Sequence, residues 1–165
     1  MHINFIGILV AALVPMVLGF VWYNPKTFGT AWMAASGMTQ EKAKSMNMAL
    51  VFGVSFILAL LLAFGMQFMV IHQFHVTSLF YKQTIEDPTS AVGALYKSIM
   101  DQFGTSYRTF KHGALHGTMG GIMVATPILA TNALFEGKNF KYIAINCGYW
   151  IVCLGLMGGI ISSFV

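Results

Sequence analysis

Four stretches of this chain are each long and apolar enough to cross a lipid bilayer, and that pattern leaves little room for another fold. At 1.5 Å of rise per residue, about 20 apolar residues cover about 30 Å of hydrocarbon. The stretches run over residues 3–23, 46–71, 112–135 and 142–165. Within lipid every backbone polar group must find its partner inside the protein, so runs of this length form α-helices. The predicted fold class is therefore all-α, a polytopic membrane protein of four transmembrane helices in one domain, residues 1–165. Composition agrees for a physical reason. Charged residues are 8% of the chain and hydrophobic ones 57%, whereas a soluble domain carries about a quarter charged residues to wet its surface.

The first stretch, interrupted only by Asn4 and Pro15, has a length that invites comparison with a secretory leader. It lacks a basic start and a clear small-residue cleavage site, and its apolar part is too long, so it is expected to be retained. Thr39 reads as the N-cap of a longer helix that starts in water and runs into the second span. Pro127 lies inside the third span, where neighbouring groups can satisfy the carbonyl it frees.

The connections differ in kind. Residues 24–45 hold a proline turn and then Phe28, Trp32 and Met33 at helix-like spacing, expected at head-group depth where indole rings are favoured. In the long middle connection, Asp87 before Pro88 reads as an N-cap with proline at the first helical position. Val92, Leu95, Tyr96, Ile99 and Phe103 then form one apolar stripe, with Gly104 as the stop. This predicts a short amphipathic helix over residues 88–103, lying on the bilayer or on the bundle. The last connection is a few residues around Gly137, so the third and fourth spans form a tight antiparallel hairpin.

Four crossings put both termini and the middle connection on one side. Lys26, Lys42, Lys44, Lys138 and Lys141 lie on the other side, against Lys82, Lys97, Arg108 and Lys111 on the termini side. Weighting bases close to span ends favours termini outside the cytoplasm. The formal charge of +4 is scattered between apolar runs, which fits anchoring to head groups and excludes nucleic acid as a partner.

Helices meet in lipid through close backbone packing, because lipid tails give no hydrophobic drive. Gly113, Gly117 and Gly121 recur every four residues in the third span. Gly148, Gly155 and Gly159 supply small positions in the fourth. The first reading is packing within the hairpin, and the second is an outward row that dimerises the protein or docks a subunit. Cys147 and Cys153, six apart, point to different helix faces, so they read as packing thiols and not as a disulfide.

Several residue groups together resemble a known family. They begin with Asn4, Gly19, Trp22, Tyr23, Pro25, Phe28, Gly29, Trp32 and Met33. They continue with Asn132, Leu134, Phe135, Glu136 and Gly137, then Asn146, Gly148, Tyr149 and Gly158. The chain is similar in these to an uncharacterised bacterial family of small four-span integral membrane proteins, a domain of unknown function. Its marks are a Trp-Tyr-x-Pro, Phe-Gly and Trp motif and a Phe-Glu-Gly turn. The resemblance covers both ends of the chain and implies a topology, a bacterial inner membrane and no assigned activity.

On that topology, Trp22, Tyr23, Pro25, Trp32, Asn132, Glu136 and Asn146 gather at the face opposite the termini. One reading is an interfacial clasp, with Glu136 paired to Lys26, Lys138 or Lys141 and Asn146 capping a backbone group. The other is a shallow pocket for a lipid head group or a small solute. The histidines all fall on the termini side: His2, His72, His75, His112 and His116. His112 and His116 share a helix face at a spacing that suits a metal ion or a haem ligand. His72 and His75 approach them if the second and third spans are neighbours.

Other chemistry is missing from the sequence. No phosphate loop, zinc-finger spacing or nucleophile with its base is present, and no charged residue sits mid-span, where ion-driven carriers usually place one. The twelve methionines read first as gap fillers between helices. The leading expectation is thus a non-enzymatic membrane protein without a cofactor, acting as a homo-oligomer or accessory subunit. The second is a small-solute or lipid-binding protein, and the third a haem or metal site at the histidines.

Overall fold

The structure, a computed structural model, describes residues 3–82 and 87–164. Among these residues all regular structure is helical. Helix α1 (Phe5–Trp22) starts where the Asn4 side chain accepts from the amide of Gly7 at 3.0 Å. A short α2 (Gly29–Ser36) ends on Gly37, whose φ of 76° needs a residue without a Cβ. Then come α3 (Gln40–Ser45), the second span α4 (Met48–Val70) and α5 (His72–Leu79). Helix α6 covers Ala91–Phe103. The third span is α7 (Phe110–Gly120), a π-helical turn at Gly121–Ala125 and α8 (Thr126–Phe135). The fourth is α9 (Phe140–Ser163). Four helices, α1, α4, the composite of α7 and α8, and α9, are long and apolar enough to cross a membrane.

Three local expectations are corrected. Thr39 does not open the second span. It caps α3 by accepting from Lys42 N at 3.2 Å, the chain extends at Met46, and Asn47 caps α4 by accepting from Leu50 N at 3.1 Å. A second capping side chain just before the apolar run ends the polar helix in favour of a new one. Asp87 does not cap the amphipathic helix either. Its carbonyl accepts from Ser90 N at 3.2 Å in a turn, and Ser90 caps α6 by accepting from Gly93 N at 3.1 Å. The helix therefore starts at Ala91, three residues later than Pro88. Gly104 ends it with φ −60°, without the left-handed turn that a glycine stop commonly uses. The apolar stripe leaves Val92, Leu95 and Phe103 exposed, while Tyr96 reaches Thr77 of α5 at 3.1 Å.

Helix α9 is the centre of the bundle: half of its most apolar window is buried, against 11–22% in the other spans. Small residues let the backbones close in. A Cβ at Gly113 or Gly117 would collide with the carbonyls of Gly158 or Leu154, and one at Gly121 would lie 2.7 Å from Ile151 Cα. Gly155 fits against Thr118 and Gly159 against the Phe110 ring, while a Cβ on Gly148 would stand 3.3 Å from the Trp22 ring. The glycine rows are thus occupied inside this chain. Ile8, Ala11 and Ala12 of α1, Ala59, Ala63 and Met66 of α4, and Met157 of α9 form the buried core. Outside it, large side chains such as Phe5, Val17, Ile57, Leu61 and Phe135 stand exposed on the long helices, the surface that lipid tails solvate.

Side-chain hydrogen bonds flank both helix prolines. Tyr149 donates its hydroxyl to the Pro15 carbonyl at 2.6 Å. Ahead of Pro127 the chain widens into the π turn, and Thr126 Oγ1 donates to Gly121 O at 2.9 Å. Both prolines sit in helices long and apolar enough to cross a membrane.

Candidate functional site

Two ends of the bundle carry polar chemistry. At the termini end, α4 unwinds at Ile71 (φ −114°, ψ 102°) and restarts as α5, which begins with His72. Opposite it, Thr109 caps α7 by accepting from His112 N at 3.3 Å, which sets His112 in the first turn and His116 one turn deeper. The result is convergence. His112 Nε2 stands 2.8 Å from His72 Nε2 and 3.1 Å from His116 Nε2. One ligand nitrogen from each of the three lies within 4.8 Å of the others. His72 is exposed and the other two are half-buried.

His75 is not part of this group. It is exposed on α5, and its carbonyl accepts from Ser78 Oγ at 2.8 Å. His2 lies outside the described residues. Desolvation, with His112 and His75 as lesser causes, holds His72 below the usual imidazole range, which favours the neutral form that binds metal.

Hydrogen bonding alone serves this cluster poorly. An imidazole Nε2 has a single in-plane valence, either N–H or a lone pair. His112 Nε2 nevertheless has two nitrogen neighbours at bonding distance. A tetrahedral ion with bonds of about 2.0–2.1 Å sets its nitrogens about 3.3 Å apart, close to the 2.8 and 3.1 Å found around His112. Haem fits less well, because nitrogens 2.8 and 3.1 Å apart leave no space for a porphyrin between the rings.

Sequence reasoning missed two neighbours of this cluster. The Tyr107 ring lies 4.9 Å from that of His112, tilted by 33°, and 6.1 Å from that of His72. Arg108 donates through Nε to Ser162 O at 3.0 Å and through Nη2 to Phe164 O, which ties this loop to the end of α9. The only sequence signal was a basic residue next to the third span.

At the opposite end, Trp22 Nε1 donates to Ile145 O at 3.2 Å and Tyr23 donates its hydroxyl to Asn146 Oδ1 at 3.0 Å. Asn146 Nδ2 donates in turn to Tyr142 O at 2.8 Å. Rings of Trp22 and Phe28 meet at 4.6 Å and those of Tyr23 and Trp32 at 5.4 Å.

The expected residues do gather at this end, but they do not form one pocket. Tyr23 and Pro25 line a groove of about 760 Å³ between α1, α4 and α9, with Phe20, Phe52, Ser55 and Tyr149. Asn132, Glu136 and Asn146 line a separate cavity of about 190 Å³ with Tyr142 and Trp150. Trp22 and Trp32 line neither; they pack in the aromatic cluster. Among the described residues Glu136 makes no ion pair. Lys138 turns instead to Ser36 O at 3.0 Å and lies over the Tyr142 ring. Glu136 is exposed.

Fold and surface together define a small multi-pass α-helical membrane protein. Within that class the family described as "Protein of unknown function (DUF1761)" matches residues 6–162, and the chain belongs to it. No curated protein and no solved structure matches the chain.

Proposed function

We propose that this protein binds one transition-metal ion of the zinc–copper type through His72, His112 and His116, at the membrane surface that carries both termini. The observation that carries the reading is the meeting of three Nε2 atoms from α5 and α7, with His112 as the hub. Imidazole suits zinc, copper, iron and nickel, and copper(II) binds most tightly among divalent ions at a given nitrogen site. The role is non-enzymatic: holding an ion on a rigid bundle in a bacterial inner membrane, with the termini outside the cytoplasm. Purified protein in nanodiscs, titrated with Zn²⁺ and Cu²⁺, tests it. One ion per chain is expected. His112→Ala should abolish binding, and His75→Ala should leave it unchanged. Equal binding by wild type and His112→Ala would sink the reading.

The groove supports a second reading, the uptake of a lipid chain or an apolar solute. Its volume of about 760 Å³ falls within the roughly 300–1,000 Å³ of small-molecule sites, and its walls are mainly apolar. Mass spectrometry after gentle detergent extraction should find lipid retained by wild type and lost from Gly19→Leu. Identical lipid in both samples removes this reading. With the glycine rows occupied inside the hairpin, a homo-oligomer or accessory-subunit role would need another surface, and the lipid-facing residues of α1 and α4 supply the area.

A further inference from the structure

Among the described residues, Tyr107 is the non-glycine residue with a positive φ, at 62°. For a bulky side chain this conformation is a true outlier, and such strain persists only where the surroundings over-determine it. Here they do. The Tyr107 carbonyl accepts from Thr109 N at 2.9 Å and from Ser162 Oγ at 3.4 Å. The next residue, Arg108, holds the carbonyls of Ser162 and Phe164. Three of these bonds thus pin a strained loop to the end of α9, and the fourth closes the loop on itself.

The consequence of that geometry is the direction of the ring. It packs at 4.9 Å over His112, with 33° between the planes, and meets His72 nearly edge-on at 6.1 Å and 87°. His112 is the hub of the cluster, and an imidazole on a half-buried helix face is otherwise free to rotate about χ2. We infer that Tyr107 is a positioning residue for the proposed metal site. Its ring holds the His112 imidazole with Nε2 turned toward His72 and His116, and covers one side of the bound ion. Coordination draws positive charge onto the imidazole, which the face of an aromatic ring attracts. The strained φ lays the ring against His112 while the residue stays 68% exposed. This inference rests on the metal-binding reading above.

The test separates ring, hydroxyl and backbone. Tyr107→Gly relieves the φ strain and removes the ring, so the metal-free variant should melt at or above the wild-type temperature. Zn²⁺ release into excess chelator should nevertheless be faster by about tenfold, the scale of one lost contact between a cation and a ring. Tyr107→Phe keeps the ring and should release Zn²⁺ at the wild-type rate. The visible spectrum of the Co²⁺-loaded protein should change in Tyr107→Gly and not in Tyr107→Phe. Wild-type release from Tyr107→Gly overturns the inference while leaving the metal site standing. Fast release from Tyr107→Phe overturns it too, since the hydroxyl would then be the active group. No Zn²⁺ bound by wild type at the three histidines overturns the metal-binding reading itself, and this inference with it.

Discussion

Gly117 lies so close to Leu154 that a Cβ on the glycine would collide with the leucine carbonyl oxygen. That contact fixes how near α7 and α9 come, and because the opposing atom is backbone it cannot swing away. Gly117→Ala is expected to force the hairpin apart and cost about 1–3 kcal/mol, the usual range for overpacking. Gly53 is the control, since nothing lies within 4 Å of a Cβ there. Gly53→Ala should stabilise the helix by about 0.5–1 kcal/mol. Unfolding in nanodiscs measures both. A Gly117→Ala variant as stable as wild type would show that the helices are not held at this point.

A second prediction concerns the polar clasp at the far end. Asn146 accepts from Tyr23 at 3.0 Å and donates to Tyr142 O at 2.8 Å, joining α1 to α9. Asn146→Leu strands the half-buried Tyr23 hydroxyl and should cost about 1–3 kcal/mol. Tyr23→Phe removes the other partner. If the pair acts as a unit, the double variant loses less than the sum of the single losses. Strict additivity in unfolding measurements would mean that the hydrogen bond contributes nothing of its own.

What could be read from the sequence follows from which forces act over long stretches. The four spans were legible because lipid imposes one requirement on 20 or so residues at once. The hairpin glycines were legible because their spacing repeats. Decisions made by single residues were not. Asn47 outcompetes Thr39 as the cap of the second span, and Ser90 outcompetes Asp87 in the middle connection. Each pair holds two good caps, and propensity alone does not rank them. The histidine site was half legible. The spacing of His112 and His116 put them on one face, but the choice of His72 over His75 follows from the single-residue break at Ile71. No pattern in the sequence marks Tyr107, whose role follows from a φ value.

The arrangement of the crossings gives a third prediction. His72 meets His112, and Arg108 meets the end of α9, so the middle connection shares a side with the C-terminal end. Lys42, exposed on α3, belongs to the other side with Trp22 and Asn146. Single cysteines placed by Thr89→Cys and Lys42→Cys should therefore react with a membrane-impermeant maleimide from opposite sides. Native Cys147 and Cys153 are buried and give low background. With termini outside, Thr89→Cys labels in intact cells and Lys42→Cys only after lysis. The reverse result corrects the orientation alone. Labelling of both from one side would break the four-span topology.

The last prediction is a dependence on pH. His72 is held below its ordinary pKa, first by desolvation and then by His112 and His75. The unfolded chain titrates this group near pH 6.5. Between the depressed folded value and about 6.5 the unfolded state therefore binds more protons, and stability rises with pH through that window. The contribution is fully present above about pH 6.5 and is lost as pH falls toward the folded value. Metal binding has the same sign, because three neutral imidazoles are needed. In nanodiscs the melting temperature should rise between about pH 5 and 7, with a smaller rise for His72→Gln. Zn²⁺ at a hundred times its Kd should add about 2.7 kcal/mol at neutral pH and progressively less on acidification. A Zn²⁺ effect that is the same in acid as at neutral pH would place the ion on ligands other than these histidines.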